Sequence, residues 1–151
     1  MDLLRQVWPM KKTTSEDSLS ALLVGIYESD RLLVHEVFDH AGWRLVEAWD
    51  RVSGLRCLMH NRIHVVIAGK DLPNWPWKKV LDDLHLLAPP PQLIVTATNA
   101  DDYFWAEALN IGAFDVLHQP FHREEVERAV AAARRRFDHV SVGRPRTLAM
   151  G

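Results

Sequence analysis

Four short polar stretches stand directly behind apolar runs and hold most of the side chains able to do chemistry: Glu28-Ser29-Asp30, Gly69 to Pro73 with Asp71, Thr96 to Thr98, and His118-Gln119-Pro120. Carboxylates in such positions suit a hard cation, which takes oxygen ligands. Thr96 adds a hydroxyl, and Gln119 adds a carboxamide that donates a hydrogen bond without charge. Covalent and redox chemistry has few candidates. Cys57 is the only cysteine, which excludes an internal disulfide and any paired-cysteine motif and points to a reducing cytoplasm. The eight histidines form no recognisable ligand set. Pro120 separates His118 from His122, and a turn separates His60 from His64.

The apolar runs in front of these stretches read as buried strands. They are Ala21 to Tyr27, Ile63 to Ala68, Leu93 to Ala97 and Phe114 to His118, and Trp43 to Ala48 is a further short strand candidate. Between them lie helical patterns. Ser29 or Asp30 caps a helix carrying Leu33, Val37 and Ala41 and ending at Gly42, and a second spans Val52 to His60. A third runs from Lys78 to Leu86 ahead of Pro89-Pro90-Pro91, and Asn99 or Asp101 caps a fourth that ends at Gly112. The last places Val126, Ala129, Val130, Ala133 and Phe137 on one stripe. Strands alternating with helices predict an α/β fold: a doubly wound, five-stranded parallel sheet with helices on both faces. In such sheets polar chemistry collects beyond the carboxyl ends of the strands, where the four stretches fall.

A length of 151 residues suits one core. We expect an N-terminal arm over 1–20 with a short helix near Leu3 to Val7, a domain over 21–138 and a C-terminal tail over 139–151. The composition, 48% hydrophobic and 25% charged with a net charge of −2, is that of a soluble globular protein and counts against non-specific nucleic-acid binding. No apolar run approaches the roughly 20 residues of a membrane span, and Met1-Asp2 does not open a signal peptide. Six tryptophans stand against two tyrosines, with Trp75 and Trp77 in one Pro-rich loop.

From about Leu22 to Phe137 the chain resembles the response-regulator receiver domain of two-component phosphorelay signal transduction in bacteria. Glu28-Ser29-Asp30 matches the family's acidic cluster at the end of the first strand. Val65 to Ala68 followed by Leu72-Pro73 matches the phosphoacceptor strand and its Met-Pro loop, and Val95-Thr96-Ala97 matches the switch strand. Ile111 to Asp115 and Gln119-Pro120-Phe121 match the "AGAxD" and "KPF" segments. The resemblance implies the flavodoxin-like strand order 2-1-3-4-5 and a cis bond at Gln119-Pro120, proline being the residue for which cis costs little.

The resemblance also marks departures. The phosphoacceptor aspartate, three residues before the Met-Pro pair, is matched by Gly69, which has no nucleophile. The phosphate-binding lysine is matched by Gln119, and the aromatic switch position by Val116. Glu28 and Asp30 keep only a weak reading as metal ligands. We therefore expect a non-enzymatic pseudo-receiver, without cofactor, that signals through protein-protein contacts and has no room for an output domain. Two rivals stand beside it: a phosphoacceptor using a displaced carboxylate, Asp71 first, or Glu28 or Asp30; and DNA binding through the basic tail, where Gly143-Arg144-Pro145-Arg146 faintly resembles a minor-groove arm.

Partner contacts have two candidate places. Trp75 and Trp77 read equally as interface anchors or as packing. Tyr103, Phe104 and Trp105 are consecutive on one helix and cannot all face the core, so Tyr103 or Trp105 is the other contact. The resemblance places that helix, with the fifth strand and last helix, on the family's signalling and homodimerisation face. Arg134 to Arg136 sit where a helix end favours positive charge.

Overall fold

The apolar runs form one parallel sheet in a computed structural model that describes residues 18–143. Strands β1 (Ser20–Val24), β2 (Arg44–Ala48), β3 (Val65–Gly69), β4 (Gln92–Ala97) and β5 (Asp115–His118) alternate with helices α1 (Glu28–Ala41), α2 (Arg51–His60), α3 (Trp77–Leu84), α4 (Asp102–Ile111) and α5 (Arg123–Gly143). The strand order is β2-β1-β3-β4-β5, all parallel, as expected for the flavodoxin-like receiver fold.

Alternation along the strands divides the core into two layers. Leu22, Val24, Val66, Ala68 and Val95 belong with Leu58, Val80 and Phe104 of α2, α3 and α4. Ala21, Leu23, Val65, Ile67, Ile94 and Leu117 belong with Val34 and Phe38 of α1 and Val130 of α5. The register sets Val24 beside Ala68 and Gly69 beside Thr96, so β1, β3 and β4 end at one edge.

Two helix starts show the local logic. Asp50 caps α2 through a reciprocal box with Ser53, and the Asp101 carboxylate accepts the Phe104 amide at 2.8 Å to start α4. Gly42 closes α1 in the left-handed conformation, as the sequence suggests.

The first strand differs from expectation. It stops at Val24 because Gly25, at φ +68°, turns the chain out of the sheet. A side chain there would also collide with Leu72, whose Cδ2 lies 2.1 Å from the position a Cβ would take. Ile26 is consequently buried, Tyr27 occupies the N-cap, and Ser29 and Asp30 lie inside α1. At the ends of the domain, Leu19 and Ser20 are already buried and α5 continues past residue 138 to Gly143. The expected helix at Leu3 to Val7 and the Arg144-Pro145-Arg146 segment lie outside the described residues.

His64 joins the two ends of the core. It is 2% exposed, its Nδ1 accepts the Ser20 amide at 3.0 Å, and its ring meets Phe137 edge-on at 5.0 Å. Burial, reinforced by Arg134 and Arg62, lowers its pKa to about 4, against a smaller opposing effect of Asp138. His64 is therefore neutral in the folded protein at neutral pH, with its remaining proton on Nε2.

Candidate functional site

The carboxyl edge of the sheet carries a cleft of about 410 Å³, bounded by Gly25, Gly69, Lys70, Leu72, Thr96 and Gln119 among others. The turn at Gly25 decides what reaches it. The residues that directly follow the first strand are Gly25 and Ile26, and Glu28-Ser29-Asp30 are displaced into the first turn of α1. This corrects the expected placement of the acidic cluster at the strand end.

Glu28 and Ser29 are exposed, with Glu28 at φ 46°. Asp30 reaches back toward the cleft, and both its oxygens accept hydrogen bonds: Oδ2 from Gln119 Nε2 at 2.9 Å and Oδ1 from the Phe121 amide at 3.0 Å. These bonds fasten α1 to the loop after β5, where Gln119-Pro120 is cis as expected. Gln119 thus serves as a tie to Asp30 across the cleft.

Gly69 ends β3 with space above it. A Cβ built there would meet the Gly25 carbonyl at 3.8 Å, with Leu72 Cγ and Thr96 Oγ1 each at 3.9 Å, all ordinary contact distances. Thr96 is 1% exposed, and its Oγ1 has no hydrogen-bond partner among the described residues. A buried hydroxyl without a partner costs roughly 1–3 kcal/mol. Asp71 lies past the strand in a turn with its side chain 84% exposed, and the Lys70 ammonium stands 4.0 Å from it.

A Mg²⁺ ion, which the receiver resemblance implies, needs a near-octahedral set of oxygens supplied partly by carboxylates. The donor set does not fit it. Gly25, Ile26 and Gly69 offer no side-chain oxygen at the strand ends, and the Asp30 carboxylate is tied to Gln119 and Phe121. Among the described residues no three His, Cys, Asp or Glu side chains converge.

Trp75 and Trp77 are buried, at 0% and 5% exposure, which removes them as surface anchors. They do not fill the space above Gly69 either. Trp75 lies against α2, where a Cβ on Gly54 would fall 2.4 Å from its Cζ3, and its indole donates to Asp83 Oδ2 at 2.8 Å. Arg51 donates to the same carboxylate at 2.9 and 3.3 Å. The Arg51 bonds, aided by Trp75 and opposed by burial, hold the Asp83 carboxyl below its ordinary range. Trp77 packs edge-on against Phe104 at 5.7 Å. Gly54 inside a helix and Asp83 beside Val80, Leu81 and Leu84 were the sequence signals of this arrangement.

On α4, Phe104 faces the core while Tyr103 is 83% and Trp105 48% exposed. Val116, at the switch position on β5, is buried. Three further residues shape the cleft. Lys70 lines it with its ammonium 4.9 Å above the Phe104 ring, and Leu72 covers Gly25. Tyr27 forms one wall and pairs with Trp49, ring centres 5.3 Å apart. Lys70 follows Gly69 directly, and that adjacency was its sequence signal.

No protein-family model matches the chain, and no curated protein matches it. Solved structures do match, receiver domains among them. The signal receiver domain of a protein assigned as the LuxO repressor of Vibrio parahaemolyticus superposes with a TM-score of 0.74 at 16% identity, over 85% of this chain and 98% of that one. The signal receiver domain of an HD domain-containing protein from Pseudomonas fluorescens Pf-5 gives 0.70 at 22% identity over 81% and 98%. The chemotaxis response regulator CheY4 of Vibrio cholerae gives 0.68 at 19% identity over 77% and 98%. The chain therefore has the receiver fold.

Proposed function

We propose that this protein is a receiver-fold module of bacterial two-component signalling that works through contacts with a partner protein in the cytoplasm, without forming an aspartyl phosphate and without enzymatic activity. The observation that carries this reading is the side-chain set at the three strand ends. An aspartyl phosphate requires a carboxylate nucleophile, and Gly69 supplies none where the resemblance places the acceptor. Gly25 and Ile26 offer no metal ligands, and Gln119 brings no charge to offset a phosphoryl group. The exposed pair Tyr103 and Trp105 on α4 is the contact surface on this reading, since aromatic side chains lose little entropy when they anchor an interface. No helix among the described residues is long and apolar enough to cross a membrane.

The test is incubation with a small phosphodonor and Mg²⁺, followed by intact-mass measurement. No gain of a phosphoryl group is expected. Stoichiometric phosphorylation that disappears in Asp71→Asn would overturn the reading in favour of a displaced acceptor. Salt-sensitive retention on DNA, lost when the chain is truncated after Val140, would favour the basic tail instead.

A further inference from the structure

The cleft above Gly69 has the makings of a ligand site in its own right. The space above the glycine is of ordinary contact size, with nothing nearer than 3.8 Å to the missing Cβ. Thr96 Oγ1 stands 3.9 Å from that point, buried and unpartnered among the described residues. Lys70 belongs to the same lining: its ammonium stands 4.9 Å over the Phe104 ring and 4.0 Å from the Asp71 carboxylate, and rotation of its flexible stem carries the charge to the space above Gly69, while the Asp71 side chain is 84% exposed. Leu72 and Ala97 supply an apolar wall beside these donors.

We propose that this cleft binds a small aliphatic monocarboxylate, seated above Gly69 with its oxygens accepting hydrogen bonds from Thr96 Oγ1 and Lys70 Nζ and its alkyl end against Leu72 and Ala97. The proposal rests on the phosphorylation-independent reading, in which no covalent acceptor occupies this space. One lysine matches one negative charge, which favours a carboxylate over phosphate, whose second charge would be left uncompensated in a partly desolvated site. The binding is non-covalent, and no bond is made or broken. A bound carboxylate would give the Thr96 hydroxyl its partner after a small swing of the Leu72 side chain, and so would couple ligand occupancy to the loop after β3.

The experiment is a titration of the full chain with sodium acetate, read from backbone amide shifts, with sodium chloride and sodium phosphate arms at matched ionic strength. Saturable shifts centred on Gly69, Lys70, Thr96 and Gln119 are expected, with a dissociation constant on the order of 1–10 mM for so small a ligand. Gly69→Asp, which puts a competing carboxylate into the space, should weaken binding at least ~10-fold, and Lys70→Met by several-fold, both with the wild-type amide dispersion. Non-saturable shifts, the same response to chloride, or unchanged binding in both variants would overturn the site. Tighter binding of phosphate at the same residues would overturn the choice of ligand. No phosphodonor is present, so this outcome is separate from the mass test, and a phosphorylated chain there would refute the parent reading alone.

Discussion

Replacing His64 with glutamine should flatten the acid limb of the stability curve. With a pKa of about 4 when folded and about 6.5 when unfolded, His64 binds more protons in the unfolded chain at any pH between these values. Stability is then complete above the unfolded value and is lost as pH falls toward the folded one. Linkage gives a loss of roughly 1–2 kcal/mol at pH 5.5 and roughly 2–3 kcal/mol at pH 4.5, relative to pH 8. The carboxyls held below their ordinary range, Asp83 and Glu47, contribute later. Burial works against ionised Glu47 but is outweighed by Arg31 and His35, so its share, like that of Asp83, is lost as pH falls below its unfolded value. Urea unfolding followed by tryptophan fluorescence at pH 7.5, 6.5, 5.5 and 5.0 reads the effect. The quantity that matters is the difference in slope between wild type and His64→Gln, because the variant also disturbs the bond to the Ser20 amide and shifts absolute stability. Parallel curves between pH 7.5 and 5.0 would refute the assignment of a neutral, desolvated imidazole at this position.

Two more perturbations follow from the geometry. Gly54→Ala would ordinarily favour a helix by up to about 1 kcal/mol, yet here the new methyl overlaps the Trp75 ring at 2.4 and 2.7 Å. A net loss of roughly 1–3 kcal/mol is expected; it should vanish when Trp75 is replaced by leucine, and strict additivity in that double-mutant cycle would contradict the packing. Asp30→Ala leaves Gln119 Nε2 and the Phe121 amide without their acceptor. It should cost roughly 1–3 kcal/mol and speed hydrogen exchange at Phe121, whereas unchanged exchange would show that the tie does not hold the loop.

The sheet was legible because its strands are short, mainly apolar runs bounded by turn residues, and Val65 to Ala68 is buried throughout. The first strand's end was not. Ile26 and Tyr27 continue the apolar run, and only the positive φ of Gly25, tied to its contact with Leu72, shows that the chain has already turned. That shift moved Glu28-Ser29-Asp30 from the strand edge into α1, while β4 and β5 end at Ala97 and His118 as read and β3 runs one residue further, to Gly69. Trp75 was ambiguous for a different reason. Its burial depends on Gly54 and Asp83, twenty-one residues before it and eight after, and the fold alone brings them together.

The turn at Gly25 also closes off a route of change. For this chain to acquire aspartyl-phosphate chemistry, acidic side chains would have to appear at the end of the first strand as well as at Gly69. At Gly25 any side chain collides with Leu72. At Ile26, which belongs to the layer beneath α1 and α5, a carboxylate would be buried among apolar neighbours and held protonated. At Gly25 the step requires Leu72 to move and a side chain to adopt a positive φ, and at Ile26 it exchanges a buried apolar residue, so each would cost stability before any phosphoryl group could be held. Gly69 alone could be exchanged without strain, so the site is open to a new ligand and entrenched against a new nucleophile.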